Sequence, residues 1–275
     1  LMAAFALVTV VSVGLITYNN AAVLRRQLIV QQSSDLKNTA VSRAAAMNNV
    51  LESTLRDADV VAGSPDVVNF AAAKPTLRAP LKDLARLALL YLRNADSSFQ
   101  EASIVDTSGT VVLSNVGDEG ASVASSAFFA QALSGKKYVS DPTVSASNAL
   151  LIDFASPIRD PGGKIVGILR LTTDFSGIDS QFFGANTANG ADQYNVLVDD
   201  HGVVLSAQKY ADTLAFRPVA ALSDQVKASM TAAKQFGPDT VSKLSQPLGD
   251  GAMAAAVAGN DAMGQFRHTN PAAGN

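Results

Sequence analysis

Apolar and polar positions change their rhythm several times along the chain. LMAAFALVTVVSVGLITY, Leu1 to Tyr18, has no charged side chain, and none follows until Arg25-Arg26. An apolar run of about 18–20 residues matches a membrane-spanning helix. Residues 1–20 therefore read as an uncleaved signal anchor, with a cleaved signal peptide as the rival reading. From Asn20 to Ala62 there is no Gly or Pro, and Leu24, Leu28, Met47, Leu51 and Leu55 recur at helical spacing. The pattern predicts a long helix that Gly63 ends. Ser64-Pro65 then starts a short helix through Phe70 with a capping residue and a first-turn proline. A second amphipathic helix follows Pro80, with Leu81, Leu84, Ala88, Tyr91 and Leu92 as its apolar face.

Beyond Asn94 the rhythm turns to strands. Ala102–Val105 and Thr110–Ser114 flank Asp106-Thr107-Ser108-Gly109, where the glycine supplies positive φ and the aspartate bonds turn amides. Ser126–Leu133 predicts a short helix closed by Gly135, and Tyr138–Val144 a strand. Leu150–Ile158 and Ile165–Thr173 flank Asp160-Pro161-Gly162-Gly163. The order is five antiparallel strands with helices before and within. VDTSGTVVLS at Val105–Ser114 then returns as VDDHGVVLS at Val198–Ser206. Leu222–Gln235 predicts a helix, and Met253–Ala258, Gly259 and Met263–Arg267 echo the helix, glycine and strand of the first copy. The second copy stops before its last hairpin, so the chain reads as a piece of something longer.

Composition narrows the function. The 275 residues are 48% hydrophobic, enough for a substantial core, and the net charge of −3 offers no basic face for nucleic acid. With no Cys and only two His, thiolate chemistry and a His-rich metal site are excluded. Asp199-Asp200-His201 is explained by its turn. No two carboxylates, and no nucleophile with a base, converge by spacing, so this segment reads as non-enzymatic and needs no cofactor.

The apolar segment, the long helix and the two similar modules resemble the double Cache (PAS-like) extracytoplasmic sensor domains of bacterial transmembrane receptors. The most specific stretch is FFAQALSGKKYVSDPTVSASNALLIDFASPIRDPGGKIVGILRLTTDF, Phe128 to Phe175. The resemblance implies an α+β fold: signal anchor 1–20, long helix and connector 21–94, membrane-distal module 95–175, linker 176–193 and an incomplete membrane-proximal module 194–275. It implies a signal-transduction receptor of the inner membrane, of chemoreceptor, kinase or cyclase type, with its sensor domain outside the cytoplasm. Its partner is a small molecule in the distal module, with dimerisation along the long helix as a further expectation. The alternative is a ligand-free extracellular scaffold, dimerisation or adhesion module.

In amino-acid-binding members, as the resemblance has it, an Arg lies two residues before an aromatic pair, here Phe128-Phe129. The Arg position is Ser126. The Asp near the end of the last strand falls on Thr172, with Asp174 two further on. Both charged anchors of that pattern are missing. Tyr138 and Asp141 sit where the family contacts ligand, and Asp141-Pro142 equally suits a strand-end turn. Arg170 shares a strand face with Thr172. Centring the hairpin on Pro161-Gly162 puts Asp153 opposite Arg170. A cross-strand ion pair is the plainer reading of this pair. The sharper one is a pocket arginine, held by Asp153, that engages an organic anion.

Overall fold

The computed structural model describes residues 27, 30, 31, 34, 35, 38–95, 99–145, 149–174, 196–207 and 210–249. Residues 46–249 form one compact unit; residues 1–45 and 250–275 are grouped in another, whose described residues are helical. No helix among the described residues is long and apolar enough to cross a membrane. Leu1–Tyr18, the linker 176–193 and the strand expected at Met263–Arg267 lie outside them.

Within the unit 46–249, α1 (46–62), α2 (Pro65–Ala72) and α3 (Lys82–Ala95) precede a six-stranded antiparallel sheet. Its strands are β1 (Phe99–Val105), β2 (Val111–Ser114), β3 (Tyr138–Val139), β4 (Thr143–Val144), β5 (Leu150–Arg159) and β6 (Ile165–Asp174), with α4 (Ala127–Leu133) between β2 and β3. The order is β2-β1-β6-β5-β3, and β4 also pairs with β5. The expected third strand is thus two short pieces on one edge, interrupted at residues 140–142. A second hairpin, β7 (Val196–Val198) and β8 (Val204–Ala207), leads to α5 (Ala211–Leu214), α6 (Asp224–Ala232) and α7 (Thr240–Leu244).

Three hairpins use one turn. In Asp106–Gly109, Asp160–Gly163 and Asp199–Gly202 the glycine N–H donates to the aspartate carbonyl at 2.9–3.0 Å. Each aspartate Oδ1 accepts the amides two and four residues on. The glycines have φ of 86°, 84° and 78°, and a bulge follows each turn into its strands. The structural role of Asp199 is therefore the same as that of Asp106. Their carboxyls differ, because burial pushes Asp199 above the usual range. For Asp106, burial also pushes upward but the bonds from Ser108 and Thr110 win, and the group is lowered.

Strand alternation sorts the sheet into two faces. Ala102, Ile104, Phe154, Leu169 and Leu171 face the main core with Ala58, Ala62, Phe70, Ala85 and Leu89 from α1–α3. Met47, Leu51 and Leu55 pack onto this core too, which accounts for their helical spacing. The core continues without a break into Val203, Leu205, Phe216, Phe236 and Leu244, and the rings of Phe216 and Phe236 stack at 5.1 Å. The opposite face carries a smaller cluster: Val105, Ala155 and Ile168 under Phe128, Phe129 and Ala132 of α4. Both phenylalanines are buried there, because a helix wedged onto a sheet covers a broad arc. At the start of α2 Pro65 takes the first turn as expected, but Ser64 makes no side-chain cap bond.

The structure corrects the apolar face of α3. Leu84, Leu87 and Tyr91 are 51%, 62% and 71% exposed, while Ala85, Leu89 and Leu92 are buried. Of the expected face, Leu81, Ala88 and Leu92 do pack on the core. The apolar residues span a broad arc opposite Lys82 and Arg86, so periodicity leaves the centre of the buried stripe open. Leu89→Ala is expected to cost about 2–5 kcal/mol, whereas Leu84→Ala should stay within about 0.5 kcal/mol. Urea unfolding of the two variants side by side checks this, and equal losses would refute the assignment.

Candidate functional site

Arg170 lies mid-strand in β6 on the α4 face. Its Nε and Nη2 donate to Asp153 Oδ1 at 3.2 and 3.1 Å, Nη2 also reaches Oδ2 at 3.3 Å, and Nη1 donates to Glu101 Oε1 at 3.0 Å. The Phe128 ring covers the guanidinium at 5.2 Å, a cation–π contact that orients it. Thr172 Oγ1 donates to Asp153 Oδ1 at 2.6 Å, and Ser103 Oγ to Glu101 Oε1 at 3.0 Å. The side chains of Arg170, Glu101 and Asp153 keep only 18%, 16% and 21% of their exposure.

The pairing register explains the geometry. Asp153 stands opposite Thr172, and Ala155 opposite Arg170. The offset from the expected pairing is two residues, because the turn holds three residues inside the Asp160–Lys164 pair and the bulge adds another. A shift of two preserves the face, so Arg170 reaches Asp153 diagonally instead of directly. Glu101 was not expected here. In an unbroken strand it would share a face with Phe99, which is in the main core. A bulge between Phe99 and Glu101 reverses that parity and turns Glu101, with Ser103, toward Arg170.

Burial pushes Glu101 above the usual carboxylate range, against the opposing pull of Arg170, and Asp118 adds to the upward push. Asp118 Oδ1 is buried without a hydrogen-bond partner. Burial also raises the Tyr138 phenol, helped by the carboxylates of Asp141 and Asp153.

Of the expected residues, Phe128, Asp153, Arg170 and Thr172 come together in direct contact. Tyr138 stands opposite Ala155, in the electrostatic reach of Asp153. Phe129 packs beside Phe128 in the small apolar cluster. Asp141 is exposed on the edge segment, Ser126 precedes α4 without a side-chain cap bond, and Asp174 ends β6 opposite Leu151. A groove of about 520 Å³, lined by Val144, Thr231, Lys234, Pro238 and Val241, lies at β4 and the α6–α7 turn, away from this cluster.

The Arg170–Asp153 pair forms, and Glu101 joins it. Each of the three Arg170 nitrogens already donates to a carboxylate, and one guanidinium faces two acids, so the cluster is net negative. A bidentate carboxylate clamp needs an open guanidinium fork.

No protein-family model matches the chain, and no curated protein sequence matches it. Solved structures do resemble it. The sensor domain of the histidine kinase DctB from V. cholerae aligns at a TM-score of 0.57 with 18% identity, over 75% of this chain and 79% of that one. The sensory domain of the Campylobacter jejuni chemoreceptor Tlp3, solved with isoleucine bound, aligns at 0.56 with 12% identity, over 74% and 81%. An extracellular ligand binding receptor from Desulfohalobium retbaense aligns at 0.52 with 15% identity, over 74% of this chain and 34% of that one. These neighbours are sensor or ligand-binding domains, not enzymes. The chain has the fold of these sensor domains, in line with the double Cache resemblance of its sequence.

Proposed function

We propose that the chain is the ligand-sensing, extracytoplasmic part of a bacterial transmembrane signal-transduction receptor. A small molecule binds on the α4 face of the sheet around Arg170. The observation that carries this reading is the charged cluster itself. Five polar side chains, Glu101, Ser103, Asp153, Arg170 and Thr172, converge at low exposure beside an aromatic ring, on the face opposite the main core. A fold that needed only a scaffold would fill such positions with apolar groups at less cost in desolvation. Membrane anchoring through Leu1–Tyr18, pairing of two copies along the long helix, and a second Cache module at 194–275 belong to the same proposal. The second module is supported by the return of VDTSGTVVLS as VDDHGVVLS.

The cluster's net negative charge favours a ligand that presents an ammonium or several N–H donors. The Tlp3 domain was solved with isoleucine bound, so amino acids belong in the test set. Thermal unfolding in the presence of putrescine, γ-aminobutyrate, isoleucine and succinate separates the readings. A ligand at 100-fold excess over its Kd stabilises by about 2.7 kcal/mol. We expect this from an amine-bearing compound and nothing from succinate, with the effect lost in Phe128→Ala. Stabilisation by succinate alone would refute the ligand class. Amine stabilisation that survives Phe128→Ala would move the site elsewhere. No response to any of the four, with none in a wider panel of amines and amino acids, would favour the ligand-free scaffold.

A further inference from the structure

The edge segment from Lys137 to Val144 touches three separate parts of the compact unit. At its start, Lys137 Nζ bonds Asp59 Oδ2 of α1 at 2.8 Å. Ser156 of β5, fully buried, donates to the other oxygen of Asp59 at 2.9 Å. At its middle, Ser140 holds Asp153 by the backbone: the Ser140 N–H donates to the Asp153 carbonyl, and the Asp153 N–H to Ser140 Oγ, both at 2.8 Å. At its end, the Val144 N–H donates to the carbonyl of Gln235 in the α6–α7 turn at 2.7 Å, and Gln235 Nε2 donates to the Pro142 carbonyl at 3.3 Å. Between these fastenings the two-residue strands β3 and β4 pair with β5, Val139 and Val144 pack on the main core, and Tyr138 packs on the small cluster.

We infer that residues 137–144 are a coupling strap. A movement of Asp153 is passed to α1 through Lys137 and Asp59, and to the α6–α7 turn through Pro142, Val144 and Gln235. Two short strands resist displacement less than one continuous strand would. The backbone bond at Val144 is directional, and the half-exposed Lys137–Asp59 pair is charge-assisted and backed by the buried Ser156. Asp153 is the residue that both clamps Arg170 and hangs from Ser140, so the strap meets the candidate site at that residue. The coupling itself is independent of what binds there. Only its role in signalling rests on the proposed sensing function.

Coupling between the ends is measurable without a ligand. In Asp59→Asn, amide exchange at Val144 should accelerate roughly tenfold more than at Ile104 and Leu113, residues of β1 and β2 that report opening of the whole sheet. Lys137→Met, which leaves Asp59 in place, should reproduce this. Gln235→Ala should likewise accelerate exchange at Val139 and Ser140. The Tm losses of Asp59→Asn and Gln235→Ala should fail to sum in the double variant, since independent distant sites add. Acceleration confined to each variant's own end, equal acceleration across the sheet, or additive losses would each overturn the strap. None of these results would bear on whether a ligand binds at Arg170.

Discussion

Arg170→Met should lower the unfolding free energy by about 2–4 kcal/mol, reaching below the roughly 3–5 kcal/mol typical of breaking a fully buried ion pair because about a fifth of each partner stays exposed. The loss comes less from the missing attraction than from what remains. Glu101 and Asp153 would face each other across a low-dielectric gap with no cation between them. Differential scanning calorimetry should show a Tm lower by roughly 5–15 °C. Adding Glu101→Gln to this variant should recover part of the loss, since one of the two stranded charges is gone. A Tm change under about 2 °C would mean the cluster behaves as an exposed pair.

The same variant has a pH signature. Glu101 already titrates above its ordinary value of 4.5, because burial outweighs Arg170. Without Arg170 it should rise further. A folded carboxyl with a raised pKa takes up its proton before the unfolded one as pH falls. The deficit of Arg170→Met should therefore shrink as pH drops from neutral toward 4.5. Asp59 behaves oppositely. Burial pushes it up, but the bonds from Lys137 and Ser156 prevail and hold it below its ordinary 3.8. Its contribution is present above 3.8 and is lost as pH falls through the lower folded value.

Gly109→Ala should be far more damaging than Gly163→Ala, although both glycines occupy the same place in the same turn. Each has a left-handed φ, 86° and 84°, which costs a residue with a Cβ about 1–2 kcal/mol. At Gly163 nothing lies within 4 Å of an added Cβ, so that is the whole penalty. At Gly109 the new atom would meet the Ala124 Cβ at 2.6 Å, its Cα at 2.7 Å and its N at 2.9 Å. That backbone must move, at about 1–3 kcal/mol more. It is also the segment that leads into α4, tied down where the Val123 N–H donates to the Gly109 carbonyl at 2.8 Å. We therefore expect Gly109→Ala to displace Phe128 from Arg170 and to lose about 2–5 kcal/mol in all. Equal Tm losses for the two variants would refute the difference.

Much of this architecture is legible without coordinates. The hairpin turns, the short helix at 127–133 and the strand spans other than Tyr138–Val144 follow from Asp-x-x-Gly spacing and from alternation. So does the placement of Arg170, Thr172 and Asp153 on one face. These are local properties: a turn needs an aspartate oxygen and a positive φ, and a strand repeats every two residues whatever lies beside it.

What alternation cannot convey is an extra residue. A bulge adds one position, reverses the parity of everything before it and leaves no mark in composition. That is why alternation does not mark Glu101 as a partner of Arg170; a second bulge together with a three-residue turn puts Asp153 on the diagonal. In α3 Leu81, Ala88 and Leu92 pack on the core as the periodicity implies, whereas Leu84 and Tyr91 do not, because a broad apolar arc leaves the centre of the buried stripe open. Gln235 and Asp59 are contacts between residues 91 and 97 positions away from Val144 and Ser156, and nothing local announces them. The sequence by itself determined the elements, their turns and the side of the sheet on which charge collects. Only the tertiary structure decided that the arginine there is already held by two carboxylates, because that outcome depends on register, bulges and the burial they produce together.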